Sequence, residues 1–260
     1  MLPTTFFISA DSVCECFLVL YFYSCKNAQG GGVVFITLEG IENSGKSTQA
    51  SLLAGRFREL GIPCVLTRDP GGVSSSKPIR RVLLDRSTEV GVKAELLLYI
   101  AARVELVEKV IRPALDAGNV VICDRFIDST IAYQGYGNFY GDEEMLGFIK
   151  SSHDLLTGGL WPDLTIWLDI SVEESMRRYA LGSERDRIES RDGHFFLRVK
   201  HGYYLLHTED RDRVRMVSGE APEGVVANII WQQVQQVIVD RGCVDGQGRG
   251  HIRAYRRSAI

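Results

Sequence analysis

The sequence predicts an α/β fold in which a five-stranded parallel sheet carries helices on both faces. Two observations support this prediction. Five short apolar runs alternate with longer segments whose apolar residues recur at helical spacing. The first run also leads directly into a glycine-rich loop of the pattern Gly-x4-Gly-Lys-Ser, which typically connects a strand to a helix. Parallel strands need right-handed crossover helices, and these cover both faces of the sheet.

The five predicted strands cover residues 33–38, 64–67, 120–123, 164–169 and 214–217. Four predicted helices cover residues 46–60, 88–112, 193–207 and about 222–239. Another helix, between the second and third of these, begins at the capping box Ser171-Val172-Glu173-Glu174. Gly61-Ile62-Pro63 ends the first helix, and Pro113 kinks or restarts the second. No internal repeat and no interdomain linker is evident, so we expect one domain.

Composition indicates a soluble globular protein, with 45% hydrophobic and 24% charged residues in a chain of 260. A formal net charge of −3 gives no reason to expect nucleic acid as a partner. We assign the domain to 33–240, with a lid at about 180–190. Residues 1–32 form a dispensable extension and 241–260 a basic tail. The apolar run at 17–23 is too short to cross a membrane, although a weak export or membrane-contact signal stays an alternative.

The six cysteines include no Cys-x-x-Cys pair. Cys64 and Cys123 lie in strand-like apolar runs, which favours reduced, buried thiols in a cytoplasmic protein. Cys14, Cys16 and Cys25 could contribute to a metal site in principle. No histidine lies near them, and structural zinc usually needs four spaced ligands, so we do not favour this interpretation.

The glycine-rich loop has the chemistry of a phosphate-binding loop. Its glycines allow backbone angles that turn successive N–H groups towards the oxygens of a polyphosphate. Lys46 adds a positive charge for the β- and γ-phosphates, the Ser47 hydroxyl can bind Mg²⁺, and the following helix directs its positive end at the anion. The candidate nucleotide-binding residues are Gly40, Asn43, Ser44, Gly45, Lys46, Ser47 and Thr48.

Charged residues follow the second and third strands, at the edge where open α/β sheets bind ligands. Asp124 is the expected second carboxylate near the Mg²⁺ of a P-loop enzyme, and Arg125 can bind a phosphate through two hydrogen bonds. Arg68, Asp69 and Pro70 end the second strand. The alternatives are a loop selected for turn chemistry at 68–72 and a structural ion pair at 124–125.

Three further segments carry candidate ligand-binding groups. Tyr99 and Arg103 are four residues apart and share a helix face, where they can clamp a flat heterocycle, although such pairs are more often packing and solvated charge. Residues 126–137 are polar and aromatic at one-turn spacing, which is typical of a pocket wall rather than a core helix. The arginine-rich segment 177–189 is either a lid that closes over a nucleotide or a solvated loop.

Together these motifs resemble the bacterial thymidylate kinase family over about residues 33–240. The resemblance is carried by Leu38-Glu39-Gly40-Ile41-Glu42, Thr67-Arg68-Asp69-Pro70-Gly71-Gly72, Ala101-Ala102-Arg103, the stretch from Asp124-Arg125 to Gln134-Gly135, and Asp186-Arg187-Ile188-Glu189. It implies a P-loop nucleoside-monophosphate kinase fold and usually a homodimer. It also implies transfer of the γ-phosphoryl group of ATP, with Mg²⁺, onto dTMP to give dTDP for dTTP synthesis.

The resemblance also implies roles for single residues. Tyr99 matches the position, usually Phe, that stacks on thymine, and Arg103 the position that hydrogen-bonds the base. Arg125 would hold the dTMP phosphate, Tyr133 would pack beside the deoxyribose, and Glu42 would meet the 3′-hydroxyl. The complete set of implied substrate-binding residues is Glu42, Pro70, Tyr99, Arg103, Arg125, Ser129, Thr130, Tyr133 and Gln134.

Asn43 occupies the P-loop position at which one form of the family carries an arginine, whereas Arg185 and Arg187 lie in the lid. The chain therefore resembles the form with catalytic lid arginines. The implied catalytic residues are Lys46, Arg125, Arg185 and Arg187, and the implied metal-binding residues are Ser47 and Asp124. Departures from the family pattern at Asp69, Thr130 and 138–140 bear on substrate affinity more than on the type of reaction.

Two other functions are compatible with the P-loop. A kinase for a different nucleotide or small metabolite would share the loop and the fold but not the base clamp. A P-loop switch or regulatory ATP-binding module would bind nucleotide without an acceptor. The chain contains no Asn-Lys-x-Asp guanine-reading motif, and its clustered arginines favour a phosphorylated acceptor. Lys46, Arg125 and Arg187 are present, which disfavours a catalytically inactive relative.

Overall fold

The computed structural model describes residues 34–179 and 186–243, without the side chains of 241–243. The predicted N-terminal extension lies outside the described residues, and so does the tail from residue 244 onward. Lid residues 180–185 lie outside as well, and with them the predicted catalytic Arg185. None of the helices that the structure describes is both long enough and apolar enough to cross a membrane.

Five parallel strands form one sheet in the order β2-β3-β1-β4-β5, which confirms the predicted fold class. The strands are β1 Phe35–Glu39, β2 Cys64–Arg68, β3 Val120–Asp124, β4 Leu164–Asp169 and β5 Val214–Ser218. The central strand β1 is buried at all of its residues, whereas β2 and β5 lie at the edges and expose part of their residues. A strand buried on both faces has a continuous apolar sequence, which is why the central strands were predictable.

Successive residues of the central strands enter two different cores, because side chains alternate across a strand. Phe35 packs in one core with Val121 and Cys123, while Ile36 packs in the other with Ile122. Helices cover both faces, as predicted. The helices are α1 Lys46–Glu59, α2 Ser76–Leu84, α3 Val92–Leu106, α4 Arg112–Asp116, α5 Ile127–Thr130, α6 Glu143–Thr157, α7 Val172–Tyr179, α8 Gly193–Glu209 and α9 Glu223–Cys243.

The predicted helix at 88–112 is divided into segments. α3 is followed by a π-helical turn, Val107–Ile111, and the chain then restarts as α4 with Pro113 in its first turn. Proline is tolerated there because the first N–H groups of a helix have no intrahelical partner. The backbone angles of Ile111 and Arg112 stay helical, so the hydrogen-bond pattern changes before Pro113 without a break in the chain, and a kink there stays a prediction.

Residues 126–137 required a correction. Their sequence predicted a pocket wall rather than a core helix, but they form α5 and most of the π-helical segment Ile131–Asn138. Ile131 and Ala132 are buried in the core, while Tyr133 and Gln134 line a cavity. The segment thus serves as core helix and pocket wall at once, because its successive side chains project in different directions.

Besides α5, the helices α2 and α6 were not predicted from the sequence. For α6 the signals are present: the Asp142 carboxylate accepts a hydrogen bond from the Met145 N–H at 2.9 Å, and Gly158 ends the helix at φ 63°. The capping box at Ser171 is only half formed. Its hydroxyl accepts from the Glu174 N–H at 3.1 Å, but the Ser171 N–H donates to Glu220 instead of Glu174.

Cys64 and Cys123 lie in β2 and β3, and both are free thiols. Cys123 is completely buried, whereas Cys64 is only partly buried. Burial raises the pKa of the Cys64 thiol to about 12 and that of Cys123 well above its ordinary value. Both side chains are therefore protonated at neutral pH and pack as small apolar groups.

Candidate active site

A cavity of about 450 Å³ lies at the carboxyl edge of the sheet. The strand register places Leu38 beside Asp124 and Asp124 beside Arg68, so the loops after β1, β2 and β3 meet there. Every residue that the sequence predicts to bind substrate lines this cavity: Glu42, Pro70, Tyr99, Arg103, Arg125, Ser129, Thr130, Tyr133 and Gln134. From the predicted nucleotide-binding set, Asn43, Gly45, Lys46, Ser47 and Thr48 line it as well.

The P-loop owes its shape to two glycines and a buried lysine. Gly40 has φ 137°, and a Cβ at this position would lie 2.5 Å from the Leu168 carbonyl oxygen. Gly45 has φ 95° and precedes α1. The Lys46 ammonium donates to the Ile41 carbonyl oxygen at 2.6 Å. Gly40 therefore lets the loop pass close to β4, and Lys46 holds the loop closed from inside.

Lys46 also carries the charge that a polyphosphate needs. Burial and, to a smaller extent, the nearby Arg125 guanidinium lower the pKa of Lys46 to about 8, although Glu42 and Asp124 act in the opposite direction. The ammonium is thus mostly protonated at neutral pH, yet it is poorly hydrated. A desolvated positive charge interacts more strongly with an anion than one exposed to water.

The two predicted metal-binding side chains are in contact. The Ser47 hydroxyl donates to the Asp124 carboxylate at 2.5 Å. A hydroxyl and a carboxylate oxygen beside a polyphosphate site are the donor types that Mg²⁺ accepts in proteins, and this ion usually keeps several waters. The donor types of Ser47 and Asp124 therefore fit a Mg²⁺ ion, which would neutralise part of the charge of a bound polyphosphate.

Arg125 is fixed in the centre of the cavity by its backbone and by several acceptors. It has φ 70°, and its Nη1 donates to the Gly40 carbonyl oxygen at 2.8 Å. Its Nη2 donates to Glu42 at 2.8 Å, and its guanidinium lies 4.9 Å from the centre of the Tyr133 ring. The Tyr133 hydroxyl in turn donates to Glu42 at 2.6 Å. These contacts hold the Arg125 cation in place beside the P-loop, where a positioned positive charge can stabilise a phosphate.

Glu39, which the sequence indicated only as part of a family motif, hydrogen-bonds residues that lie beside Arg125. It is completely buried at the end of β1. One carboxylate oxygen accepts the Phe126 N–H at 2.7 Å, and the other accepts the hydroxyls of Ser129 at 2.5 Å and Tyr203 at 2.8 Å. Burial, followed by the charge of Asp128, raises the pKa of Glu39 from 4.5 to about 7.

This raised pKa predicts a pH-dependent difference between the wild type and Glu39→Gln. Between about pH 4.5 and pH 7 the native state binds a proton that the unfolded chain has released. The wild type should therefore lose stability relative to the variant as the pH rises through this range, by on the order of 3 kcal/mol. Urea unfolding of both proteins at several pH values measures the difference, with the exposed Glu144→Gln as a control that follows the wild type. Parallel curves for the wild type and Glu39→Gln would contradict the assignment.

The far end of the cavity contains Tyr99 and Arg103 from α3. Arg103 is 2% exposed, so the alternative of a solvated charge is wrong. Its Nε donates to Asp69 at 2.7 Å, and its Nη2 donates to the Thr130 hydroxyl at 2.6 Å and the Phe126 carbonyl oxygen at 3.2 Å. Within the described residues its Nη1 has no hydrogen-bond partner, and Arg103 lines the cavity. That donor is free for a ligand.

Some predicted residues lie elsewhere. Gly40 and Ser44 shape the P-loop without lining the cavity. The Arg187 guanidinium is held by the Leu83 carbonyl oxygen at 2.8 Å and by Glu95 at 2.7 Å, outside the cavity lining.

Three arginines that the site prediction omitted line the cavity: Arg68, Arg80 and Arg178. Arg178 donates to the carbonyl oxygens of Asn43 and Gly219, both at 2.9 Å. Arg80 belongs to the unpredicted helix α2, and no pattern in the sequence identifies it. The cavity is therefore richer in positive charge than the sequence indicated, as expected for a site that holds phosphates.

Comparisons with known proteins agree on one family. The thymidylate kinase family model matches residues 38–230. The thymidylate kinase of Thermomicrobium roseum is 43% identical over 205 residues, which span 78% of this chain and 95% of that protein. The one from Synechococcus sp. (strain JA-2-3B'a(2-13)) is 44% identical over 202 residues, spanning 78% and 94%. A crystal structure of thymidylate kinase from Ehrlichia chaffeensis superposes with a TM-score of 0.63 at 34% identity, covering 79% of this chain and 100% of that one.

Proposed function

The chain belongs to the thymidylate kinase family, and from this premise we propose that its cavity holds dTMP in line with ATP bound at the P-loop. The enzyme transfers the γ-phosphoryl group of ATP to dTMP, giving ADP and dTDP for dTTP synthesis. The observation that supports this placement best is the continuity of the cavity. It joins Lys46 and Ser47 at one end, through Arg125, to Tyr99 and Arg103 at the other.

At the P-loop end, we assign ATP binding to Gly40, Asn43, Ser44, Gly45, Lys46, Ser47 and Thr48. The Lys46 ammonium would pair with the β- and γ-phosphates, and Ser47 and Asp124, which lie in contact, would hold Mg²⁺, whose charge would help to neutralise the phosphates. Phosphoryl transfer needs little covalent chemistry from the protein. What these residues contribute is position and compensating charge.

At the acceptor end, Arg125 binds the dTMP phosphate and Tyr133 packs beside the deoxyribose. Tyr99 stacks on thymine, and the free Nη1 of Arg103 donates to the base. Glu42 meets the sugar 3′-hydroxyl. The remaining substrate contacts are assigned to Pro70, Ser129, Thr130 and Gln134. The Nη atoms of Arg125 donate to Gly40, Ser129, Glu42 and Tyr133, so binding of the dTMP phosphate would exchange some of these contacts for hydrogen bonds to the phosphate.

The lid supplies the remaining catalytic charge in this proposal, through Arg185 and Arg187. Arg187 can touch the transferred phosphoryl group only if its ion pair with Glu95 opens, because its guanidinium lies there in the structure. An arginine that stabilises the transition state contributes about 10³-fold or more to the rate of such reactions. The charge of the lid is therefore expected to act on kcat rather than on binding.

We further propose a single kinase domain over 33–240 and a cytoplasmic homodimer that needs neither nucleic acid nor membrane. Exposed apolar side chains on the neighbouring helices α3 and α6 support the dimer: Leu97 is 54% exposed, Phe148 45% and Leu155 81%. Large exposed apolar side chains on neighbouring helices are typical of an interface between subunits.

The experiment that tests the acceptor is ADP formation from Mg·ATP with dTMP, dUMP, dCMP and dGMP in parallel, for the wild type and for Arg103→Ala. We expect the wild type to prefer dTMP strongly. Arg103→Ala should lose mainly this preference. Its kcat/KM for dTMP should fall about tenfold or more, because a charged hydrogen bond to the base is lost.

Two further variants separate base recognition from folding. Arg103→Lys keeps a cation beside the buried Asp69 but not the fork of donors, so it should fold and still lose preference. The exposed Arg81→Ala should behave as the wild type. If another monophosphate is preferred, the chain phosphorylates a different acceptor. If no monophosphate stimulates turnover, a nucleotide-binding switch explains the P-loop better.

A further inference from the structure

Glu95 is a completely buried carboxylate to which the proposed reaction assigns no role. It lies on α3, on the same helix face as Tyr99 and Arg103, because the three residues follow one another at intervals of four. A buried carboxylate is costly unless it is paired and fully hydrogen-bonded. Its partners therefore indicate what keeps it at this position.

The Glu95 carboxylate accepts four hydrogen bonds from two parts of the molecule. Oε1 accepts from the side-chain amides of Gln134 and Asn138, both at 2.9 Å, in the π-helical wall of the cavity. Oε2 accepts from the guanidinium groups of Arg187 at 2.7 Å and Arg191 at 2.8 Å. The two arginines compensate the charge, and the two amides tie the carboxylate to the pocket.

This arrangement fixes the direction of the Gln134 amide. An ionised carboxylate can only accept, so the NH₂ group of Gln134 must face Glu95 and its carbonyl oxygen must point elsewhere. Gln134 lines the cavity, and within the described residues its Oε1 has no hydrogen-bond partner. The wall therefore offers a carbonyl acceptor from Gln134 and a free N–H donor from Arg103.

This donor and acceptor pair is complementary to the hydrogen-bonding edge of thymine and mismatched with that of cytosine. Thymine presents an O4 acceptor beside an N3–H donor, which suits Arg103 and the Gln134 carbonyl oxygen respectively. Cytosine presents an amino donor beside an N3 acceptor, so it would place donor against donor and acceptor against acceptor. A buried polar site rejects such a mismatch because its groups are left unpaired.

We propose that Glu95 is a positioning residue that sets base specificity by orienting the Gln134 amide, so that the pocket accepts an N3–H base and rejects cytosine. The inference rests on the proposed function and deepens it. It also connects specificity to the lid, because Arg187 and Arg191 neutralise the carboxylate that orients the amide. Glu95 touches no substrate atom itself and acts through Gln134.

The test is the ratio of kcat/KM for dTMP to kcat/KM for dCMP in the full-length Glu95→Gln variant. An amide at this position can donate as well as accept, so the Gln134 amide can invert and donate to N3 of cytosine, which removes one of the two mismatches while the one at Arg103 stays. We expect the ratio to fall about tenfold or more. The matched control is Glu105→Gln on the same helix, where the carboxylate forms a partly exposed ion pair with Lys109. Its ratio should equal that of the wild type.

A ratio that stays unchanged in a folded Glu95→Gln, however slow the enzyme, would show that Glu95 only stabilises the fold. If Glu95→Gln does not fold, the same kcat/KM ratio is measured for Glu95→Asp instead. The shorter carboxylate keeps its charge, and the long side chains of Arg187 and Arg191 can follow it, but the helical wall carrying Gln134 cannot. Its ratio should fall too, and an unchanged ratio would overturn the inference. A wild type that does not phosphorylate dTMP would instead overturn the proposed function.

Discussion

Replacing Lys46 with methionine is expected to lower kcat for dTDP formation by about 10²- to 10³-fold, the size typical of losing one preorganised charge at a transition state. The ammonium is buried, and its pKa of about 8 leaves it mostly charged at neutral pH. It also holds the loop through the Ile41 carbonyl oxygen and the Ser44 hydroxyl, so ATP binding should weaken as well. Steady-state kinetics with varied ATP measure both effects.

The exposed Lys93→Met on α3 is the matched control and should keep wild-type kinetics. It changes the same residue type by the same substitution, far from the P-loop. If Lys46→Met retained a kcat within about threefold of the wild type while remaining folded, the P-loop would not be where the phosphoryl group is transferred. Circular dichroism and thermal melting establish that each variant is folded before the rates are compared.

Replacing Arg125 with methionine is expected to lower kcat/KM for dTMP by about 10²- to 10³-fold, since two charge-assisted hydrogen bonds to a phosphate contribute roughly 3–4 kcal/mol together. The loss should fall on dTMP rather than on ATP, because Arg125 lies between the loop and the base pocket. The variant should also lose about 1–3 kcal/mol of stability. The reason is that Glu42, which pairs with Arg125 at 2.8 Å, is left without its cation.

Arg125→Lys separates charge from geometry. A lysine keeps the positive charge but cannot donate at once to Gly40, Ser129, Glu42 and Tyr133, as the guanidinium does. We expect its kcat/KM for dTMP to lie between those of the wild type and Arg125→Met. An unchanged KM for dTMP in both variants would place the acceptor phosphate elsewhere.

The parts of the fold that local patterns encode were predictable. The five strands follow from apolar runs, and their bounds differ from the observed ones by at most two residues, as at β1, which begins at Phe35 rather than 33. The P-loop was predictable because its phosphate-binding residues are contiguous in the sequence and their spacing is specific to this kind of loop. Helix α2 was not, because two of its nine residues are buried and its Ser75 N-cap makes no side-chain hydrogen bond.

Tertiary neighbours were harder to predict. Tyr99 and Arg103 share a helix face at a spacing that the sequence displays, so their pairing could be inferred. Glu95 lies on the same face, which was an available signal. Its partners Gln134 and Arg187 come from distant parts of the chain, and only the folded structure brings them to one carboxylate. For the same reason, the ion pair with Glu95 that holds Arg187 outside the cavity lining could not be predicted from the arginine-rich sequence around Arg187.

The most direct test of the central claim is to incubate the protein with γ-labelled ATP, Mg²⁺ and dTMP and to identify the labelled product. Direct transfer from ATP to dTMP predicts label in dTDP, formed in proportion to the unlabelled ADP and abolished when dTMP is omitted. Label found only in inorganic phosphate, or dTDP unlabelled at its terminal phosphate, would contradict direct transfer between two nucleotides held in one cavity.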